Sequence, residues 1–323
     1  MEDLAGTAAR EPRIHSSLPQ RIGRTRLLTV DRILPKGCAR ILIKDESANP
    51  TGSMKDRMAL AMIEAAARSG RLSPGQRVVE YTGGSTGVSL ALVCAALGYP
   101  LSIVTSDAFS IEKRRHMAAL GAELTMVPSL RGGMDATLTR TMIAAARDIA
   151  ERTGAHWTDQ LNNADQLAAY RRMAGEIWNQ TRGRIDAFVQ SVGTAASLRG
   201  VAEVLRRRNP AIRIVAVEPK ESPVLSGGAG GVHRIEGVGA GFVVPLWRPE
   251  IVDDILPVST EEAMEMARRL ARAEALFAGT STGANLVAAI ALGLRLGPDA
   301  VIVTVRCDSG MKYLSTPLYG ERA

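Results

Sequence analysis

The 323-residue chain has little with which to stack nucleobases, since aromatic residues make up only 4% of it. Its net charge of +7 might otherwise point to a nucleic-acid partner. The arginines, however, are scattered along helix-like stretches (Arg68, Arg114, Arg115, Arg171, Arg172, Arg206, Arg207, Arg208) and are not gathered in a tail. The charge therefore reads as solvated helix faces, and no nucleic acid is expected. Cysteine is scarce as well. Cys38, Cys94 and Cys307 stand far apart without CxxC or Cys/His spacing, which excludes a disulfide framework and a zinc site. Four dispersed histidines (His15, His116, His156, His233) give no ligand spacing, so no metal is expected. No run approaches the roughly 18 apolar residues of a membrane span. The first 20 residues lack the apolar centre of a secretory leader. A cytoplasmic protein follows from these absences, and residues 1 to about 20 are expected to form a loose arm able to pack on a partner.

Apolar material is plentiful, at 46% of residues. The length exceeds one comfortable core, so two lobes are expected. Strand-like runs alternate with helical patterns. Strands are predicted over 39–46, 76–82, 101–106, 186–193, 212–219 and 300–305, and helix followed by strand over 110–128. Helices are predicted over 53–70, from about 86 to 97, over roughly 134–153, and from the second glycine loop to about 208. The stretch "STEE" (259–262) has the spacing of a capping box and opens another helix. Met54, Met58 and Met62, spaced by four, predict a core or dimer face. This alternation predicts an α/β fold with largely parallel sheets.

Two strand–loop–helix units carry small-residue loops. The first reads Thr82-Gly83-Gly84-Ser85-Thr86-Gly87 and the second Gly193-Thr194-Ala195-Ala196-Ser197. Glycine lets backbone approach a ligand, hydroxyls add donors, and the free N–H groups of a helix start point the same way. Each such contact is worth only about 0.3–1 kcal/mol when exposed, so several must act together. Tight turns of this composition are common in any α/β protein, and one alone is weak evidence of a site. A dinucleotide reading fails because neither loop contains GxGxxG.

A third feature decides between these readings. In "KDESANPTGSMKDR" (44–57), a turn over Asn49–Gly52 precedes Lys55 in the first turn of a helix. A cation there opposes the helix dipole and has reason to lose its proton. A neutral amine is what Schiff-base chemistry requires. One lysine with two anion cradles fits an aldehyde cofactor bearing a phosphate and a substrate bearing a carboxylate, which is pyridoxal 5'-phosphate acting on an amino acid.

With these residues in view, the sequence resembles the cysteine synthase (O-acetylserine sulfhydrylase) and cystathionine β-synthase family of fold-type II pyridoxal-phosphate enzymes. The likeness runs from "RIGRTRLL" (21–28) to "DSGMKYLST" (308–316), and "ESANPTGSMKDR", "SPVLSGG" and "IEGVGAGFVVP" are its most specific stretches. The resemblance implies two lobes, each a mostly parallel twisted sheet flanked by helices. The smaller, mobile lobe would span 46–155, and the larger would span 1–45 and 156–323. It implies that Lys55 anchors the cofactor and moves the α-proton. Gly193, Thr194, Ala195, Ala196 and Ser197 would hold the phosphate, and Ser281 would face the pyridine nitrogen. Thr82, Gly83, Thr86 and Gln160 would grip the substrate carboxylate. Ser85 stands where the family's asparagine reaches the cofactor's ring hydroxyl. A homodimer is implied too.

Departures from the pattern bear on the substrate. The family's TSGNTG loop becomes TGGSTG, its GTGGT loop has Ala195 and Ala196 in place of glycines, and Arg24 and Arg26 replace Asn and Pro in its IGNTPL start. Gly83 and Ser85 are smaller than the family's residues and leave space for a different amino acid or nucleophile. The expected reaction is β-replacement on a serine derivative, O-acetylserine and sulfide giving cysteine and acetate. The alternatives are β-elimination of the dehydratase or desulfhydrase type, β-replacement with another substrate or nucleophile, and a pyridoxal-phosphate-binding regulatory protein.

Overall fold

Short β-branched and aliphatic runs become strands, and the alanine-rich stretches between them become helices. The computed structural model describes residues 18–129 and 135–320. Along the chain lie β1 (Leu27–Val30), β2 (Arg40–Asp45), α1 (Lys55–Arg68), β3 (Val78–Tyr81), α2 (Ser85–Leu97) and β4 (Leu101–Ser106). Next come α3 (Ile111–Ala119), β5 (Glu123–Val127), α4 (Ala136–Thr153), β6 (His156–Trp157), α5 (Gln166–Thr181) and β7 (Ala187–Ser191). The remainder is α6 (Ala196–Arg208), β8 (Arg213–Pro219), β9 (Asp254–Val258), α7 (Thr260–Glu274), α8 (Thr280–Leu296) and β10 (Val301–Arg306). The arm expected at residues 1–20 falls, as far as residue 17, outside the described residues, and so does residue 134 at the expected start of α4.

Two sheets result. One has six strands in the order β1-β2-β10-β7-β8-β9, and the other has four in the order β5-β4-β3-β6. Pairing is parallel except between β1 and β2. Parallel strands covered on both faces read as continuous apolar runs. Accordingly, β3, β4 and β7 are buried along their whole length. The four-stranded sheet draws β6 from residues just past 155, the expected end of the smaller lobe.

Helix ends follow local chemistry. The Ser259 side chain accepts from the Glu262 N–H while Glu262 accepts from the Ser259 N–H, so the capping box expected from "STEE" closes α7 at its start. Met54, Met58 and Met62 are all buried in the hydrophobic core. α2 is apolar on nearly every side and is buried accordingly. No described helix is long and apolar enough to cross a membrane. What matters for function is placement: α2 begins just beyond the carboxyl end of β3, and α6 just beyond that of β7. Open parallel sheets bind ligands at such strand ends.

Candidate active site

Both small-residue loops face one cavity. Lys55, Thr82, Gly83, Ser85, Thr86, Gln160, Gly193, Thr194, Ser197 and Ser281 line it together. Ala195 and Ala196 complete the turn between Thr194 and Ser197 without lining the cavity themselves.

The first loop is shaped by what lies around it. Gly84 adopts φ 137°, a conformation that side chains disfavour, and the Lys113 stem occupies the place a Cβ would take. At Gly83 a Cβ would fall 2.8 Å from Cε1 of Phe109. The space expected at Gly83 is therefore not open, because the buried Phe109 ring fills it. Thr82 Oγ1 accepts from the Gly84 N–H at 3.1 Å. Thr86 Oγ1 donates to Gln160 Oε1 at 2.9 Å, and Gln160 Nε2 donates to the Tyr81 carbonyl at 2.7 Å. Beneath them, Glu80 accepts from the Gln160 N–H at 2.9 Å and from Thr158 Oγ1 at 2.5 Å. α2 starts at Ser85, and Ser85 and Thr86 line the cavity, so the helix end whose first N–H groups lack a partner within the helix lies at the site.

The second loop is tighter. Ala195 sits at φ 67°, in the left-handed region where a side chain costs roughly 1–2 kcal/mol. The turn thus keeps a glycine-like path although the residue is alanine. A Cβ on Gly193 would stand 2.5 Å from the Gly237 carbonyl, so only glycine fits there. Thr194 Oγ1 donates to Gln166 Oε1 at 3.0 Å, and Ser197 Oγ accepts from Gln190 Nε2 at 2.8 Å. Gln190 Oε1 and Ser191 Oγ are buried at the cavity wall with no partner among the described residues.

Lys55 opens α1 between the two loops. Burial lowers its pKa below the ordinary lysine value, Cys307 and Asp308 pull the other way, and the Lys113 charge lowers it further. The amine is thereby easier to deprotonate than a surface lysine's, as a carbonyl-condensing nitrogen must be. Ser281, in the first turn of α8, brings a neutral hydroxyl to the same cavity.

A phosphate-bearing aldehyde fits this arrangement. A helix start with a cradle closed to any side chain at Gly193 suits the phosphate, the unpartnered Gln190 and Ser191 atoms offer polar contacts, and Lys55 suits the aldehyde.

Several lining residues escape the sequence reading. Phe109, Lys113, Glu236, Asp308 and Tyr313 also line the cavity. Lys113 is 2% exposed, its Nζ 2.5 Å from Glu236 Oε2 and 4.0 Å from the centroid of the Tyr313 ring. In sequence it sits within Glu112-Lys113-Arg114-Arg115, which reads as a solvated face. Asp308 and Tyr313 lie inside the conspicuous "DSGMKYLST" stretch, the one signal that could have flagged them. Glu80 is a carboxylate inside an apolar strand, and that incongruity marks a supporting role.

Comparison with known proteins agrees with this geometry. The family model described as pyridoxal-phosphate dependent enzyme matches residues 18–308. A cysteine synthase of Staphylococcus aureus is 42% identical over 305 residues, covering 94% of this chain and 96% of that one. The crystal structure of a cysteine synthase from Entamoeba histolytica superposes with a TM-score of 0.89 at 34% identity, over 99% of this chain and 95% of that one. An O-ureido-L-serine synthase superposes with a TM-score of 0.90 at 33% identity, over 96% of this chain and 98% of that one. With the lysine, the cradle and the match all falling on the same stretch of chain, this protein belongs to the pyridoxal-phosphate dependent enzymes.

Proposed function

We propose that the protein catalyses β-replacement on O-acetylserine, with sulfide as the incoming nucleophile and cysteine and acetate as products. The observation that carries the reading is the placement of Lys55 in one cavity between two helix starts, one from each sheet. The relatives named cysteine synthase support the substrate.

Pyridoxal phosphate, when bound, supplies an aldehyde for amines and a ring that spreads the negative charge left by α-proton removal. The protein supplies the rest. Residues 193–197 would hold the phosphate at the start of α6. Ser281 would offer the ring nitrogen a neutral hydroxyl in place of a carboxylate, a partner that would not favour a protonated ring. Thr82, Gly83, Thr86 and Gln160 receive the substrate carboxylate at the start of α2, and the hydrogen bonds to Tyr81 and Glu80 hold Gln160 in place. Lys55 Nζ takes the proton from the α-carbon. The bond from the β-carbon to acetate breaks, the sulfur of HS⁻ bonds to the same carbon, and Lys55 Nζ returns its proton to the α-carbon, so that O-acetylserine and HS⁻ give cysteine and acetate. Movement of the lobe spanning 46–155 over the carboxylate excludes water during this exchange. A homodimer in the cytoplasm is the setting this reading implies.

The test loads the purified protein with pyridoxal phosphate and mixes it with O-acetylserine and sulfide. Cysteine and acetate are expected in equal amounts. In Lys55→Ala the rate should fall by on the order of 10²–10⁴-fold or more, the usual contribution of a positioned base. Ammonia and pyruvate in place of cysteine would overturn the reading in favour of elimination. A loaded protein inert to every serine derivative would leave a binding protein.

A further inference from the structure

Asp308 follows β10 and is 4% exposed. It reaches the site in two directions. Through its backbone it pairs with Ser53 in an isolated antiparallel bridge. The Met54 N–H donates to the Cys307 carbonyl and the Ser309 N–H to the Gly52 carbonyl, both at 2.9 Å. The turn that ends at Lys55 is thus laced to residues 307–309. Through its side chain Asp308 reaches the other loop, with Oδ2 accepting from Ser85 Oγ at 3.0 Å and from Tyr313 Oη at 2.8 Å. Its second oxygen, Oδ1, is buried with no partner among the described residues.

The surrounding charges are few. Lys55, Lys113, Glu236 and the thiol of Cys307 share the cavity with Asp308. Lys113 is already paired with Glu236. Lys312 lies behind, its ammonium buried without a partner among the described residues and held down to about 8 by burial, with Asp308 pulling upward. Asp56, next to Lys55 in α1, is buried and held by Thr51 and Ser89. Of the two carboxylates that line the cavity, Glu236 is spent on Lys113 and Asp308 has no ion pair among the described residues.

We propose that Asp308 is a positioning residue that holds Ser85 of the carboxylate loop and balances the charge of Lys55, so that one side chain registers both halves of the site. Ser85 stands where a longer side chain is expected, and Asp308 gives its hydroxyl a fixed direction. When substrate enters, the hydroxyl can leave Asp308 for a ligand acceptor. The lysine turn, tied to the same residue by backbone, stays in register with the loop. This inference rests on the reading of the cavity as a lysine-anchored amino-acid site.

The first measurement needs neither cofactor nor substrate. In the full-length cofactor-free protein, acylation of Lys55 is followed against pH by peptide mass spectrometry. Asp308→Asn removes the charge and keeps an acceptor, so the reactivity midpoint should move to lower pH by at least about half a unit, the direction that loss of an anionic neighbour imposes on a lysine. Asp308→Glu restores the charge and should return the midpoint toward that of the unaltered protein. The second measurement uses the loaded protein with O-acetylserine. Ser85→Ala should raise KM roughly tenfold more than it changes kcat, as loss of an anchored loop contact would, while leaving the acylation midpoint in place. An unmoved midpoint in Asp308→Asn, or an unchanged KM in Ser85→Ala, overturns the proposal, even if both variants are less stable. Should Asp308→Asn not fold, Asp308→Ser takes its place, with the same move of the midpoint to lower pH expected and an unmoved midpoint overturning the proposal. A loaded protein that ignores O-acetylserine while the midpoint still shifts would instead count against the assigned reaction.

Discussion

Phe109 and Gly83 together determine how much room the carboxylate loop has. Because the ring already stands where a residue-83 side chain would go, Gly83→Ser should force it aside. Overpacking of this kind costs about 1–3 kcal/mol, so KM for the amino acid should rise by roughly tenfold or more. The double variant Gly83→Ser with Phe109→Ala should recover most of that loss, and steady-state kinetics on both would check it. A single variant with unchanged KM would mean that the ring yields freely. At this scale the sequence is informative where chemistry is local. Lys55 and the two loops sit in short motifs whose meaning survives without a fold, while Ser281 is reached only through the family resemblance. Phe109 and Lys113 do not, because they meet the loop only after β4 has carried the chain back across the sheet.

Helices pack at distances that their smallest residues permit. Gly283 in α8 lies directly against the Ala263 carbonyl of α7, and a Cβ there would collide with rigid backbone. Gly283→Ala should therefore cost about 1–3 kcal/mol by overpacking, lowering Tm by a few degrees at about 1.5 °C per kcal/mol for a chain of this size. Ser281, two residues upstream, should shift with it and weaken pyridoxal-phosphate affinity in a fluorescence titration. Unchanged affinity alongside a lowered Tm would show that Ser281 is insulated from the helix contact. Elements with a single strong signal are readable from sequence. β4 is a continuous apolar run, and α7 announces itself with Ser259 and Glu262. α8 is missed because it opens on Thr-Ser-Thr-Gly and is buried on most sides, leaving no amphipathic period. β6 is only two residues long, and β1 is a half-exposed edge strand. α5 does carry a stripe, Leu167, Tyr170, Met173, Ala174 and Ile177 at spacings of three and four, which the arginines, glycine and tryptophan between them obscure.

Across the whole molecule, a buried ionic network ties the six-stranded sheet to two helices. Arg57 of α1 donates to Glu46 at 2.6 Å and to Glu176 of α5 at 2.8 Å, and Lys44 of β2 lies 2.8 Å from Glu176. Burial alone would raise the Glu176 carboxyl, but bonds and charge from Arg57 and Lys44 overcome it and hold the group at about 2. Its folded value lies below the unfolded one, so its stabilisation is present above about pH 4.5 and is lost as pH falls toward 2. The full shift corresponds to about 3 kcal/mol. Glu176→Gln should be less stable at pH 7 and show a shallower loss between pH 4.5 and 2.5 in urea titrations. Parallel pH profiles for the two proteins would remove Glu176 from the account of acid sensitivity. The α/β class with largely parallel sheets is legible in the βα alternation, but strand order is not. β10 inserts between β2, from which it is separated by most of the chain, and β7, from which it is separated by about a third of it. That insertion orders events on the ribosome. The strands of the four-stranded sheet are all present once residue 157 has been synthesised, whereas the six-stranded sheet lacks a central strand until residue 306 has followed. A nascent chain therefore carries one finished sheet and one open one for nearly half its synthesis, and the strand that closes the gap also delivers Asp308 to the lysine turn.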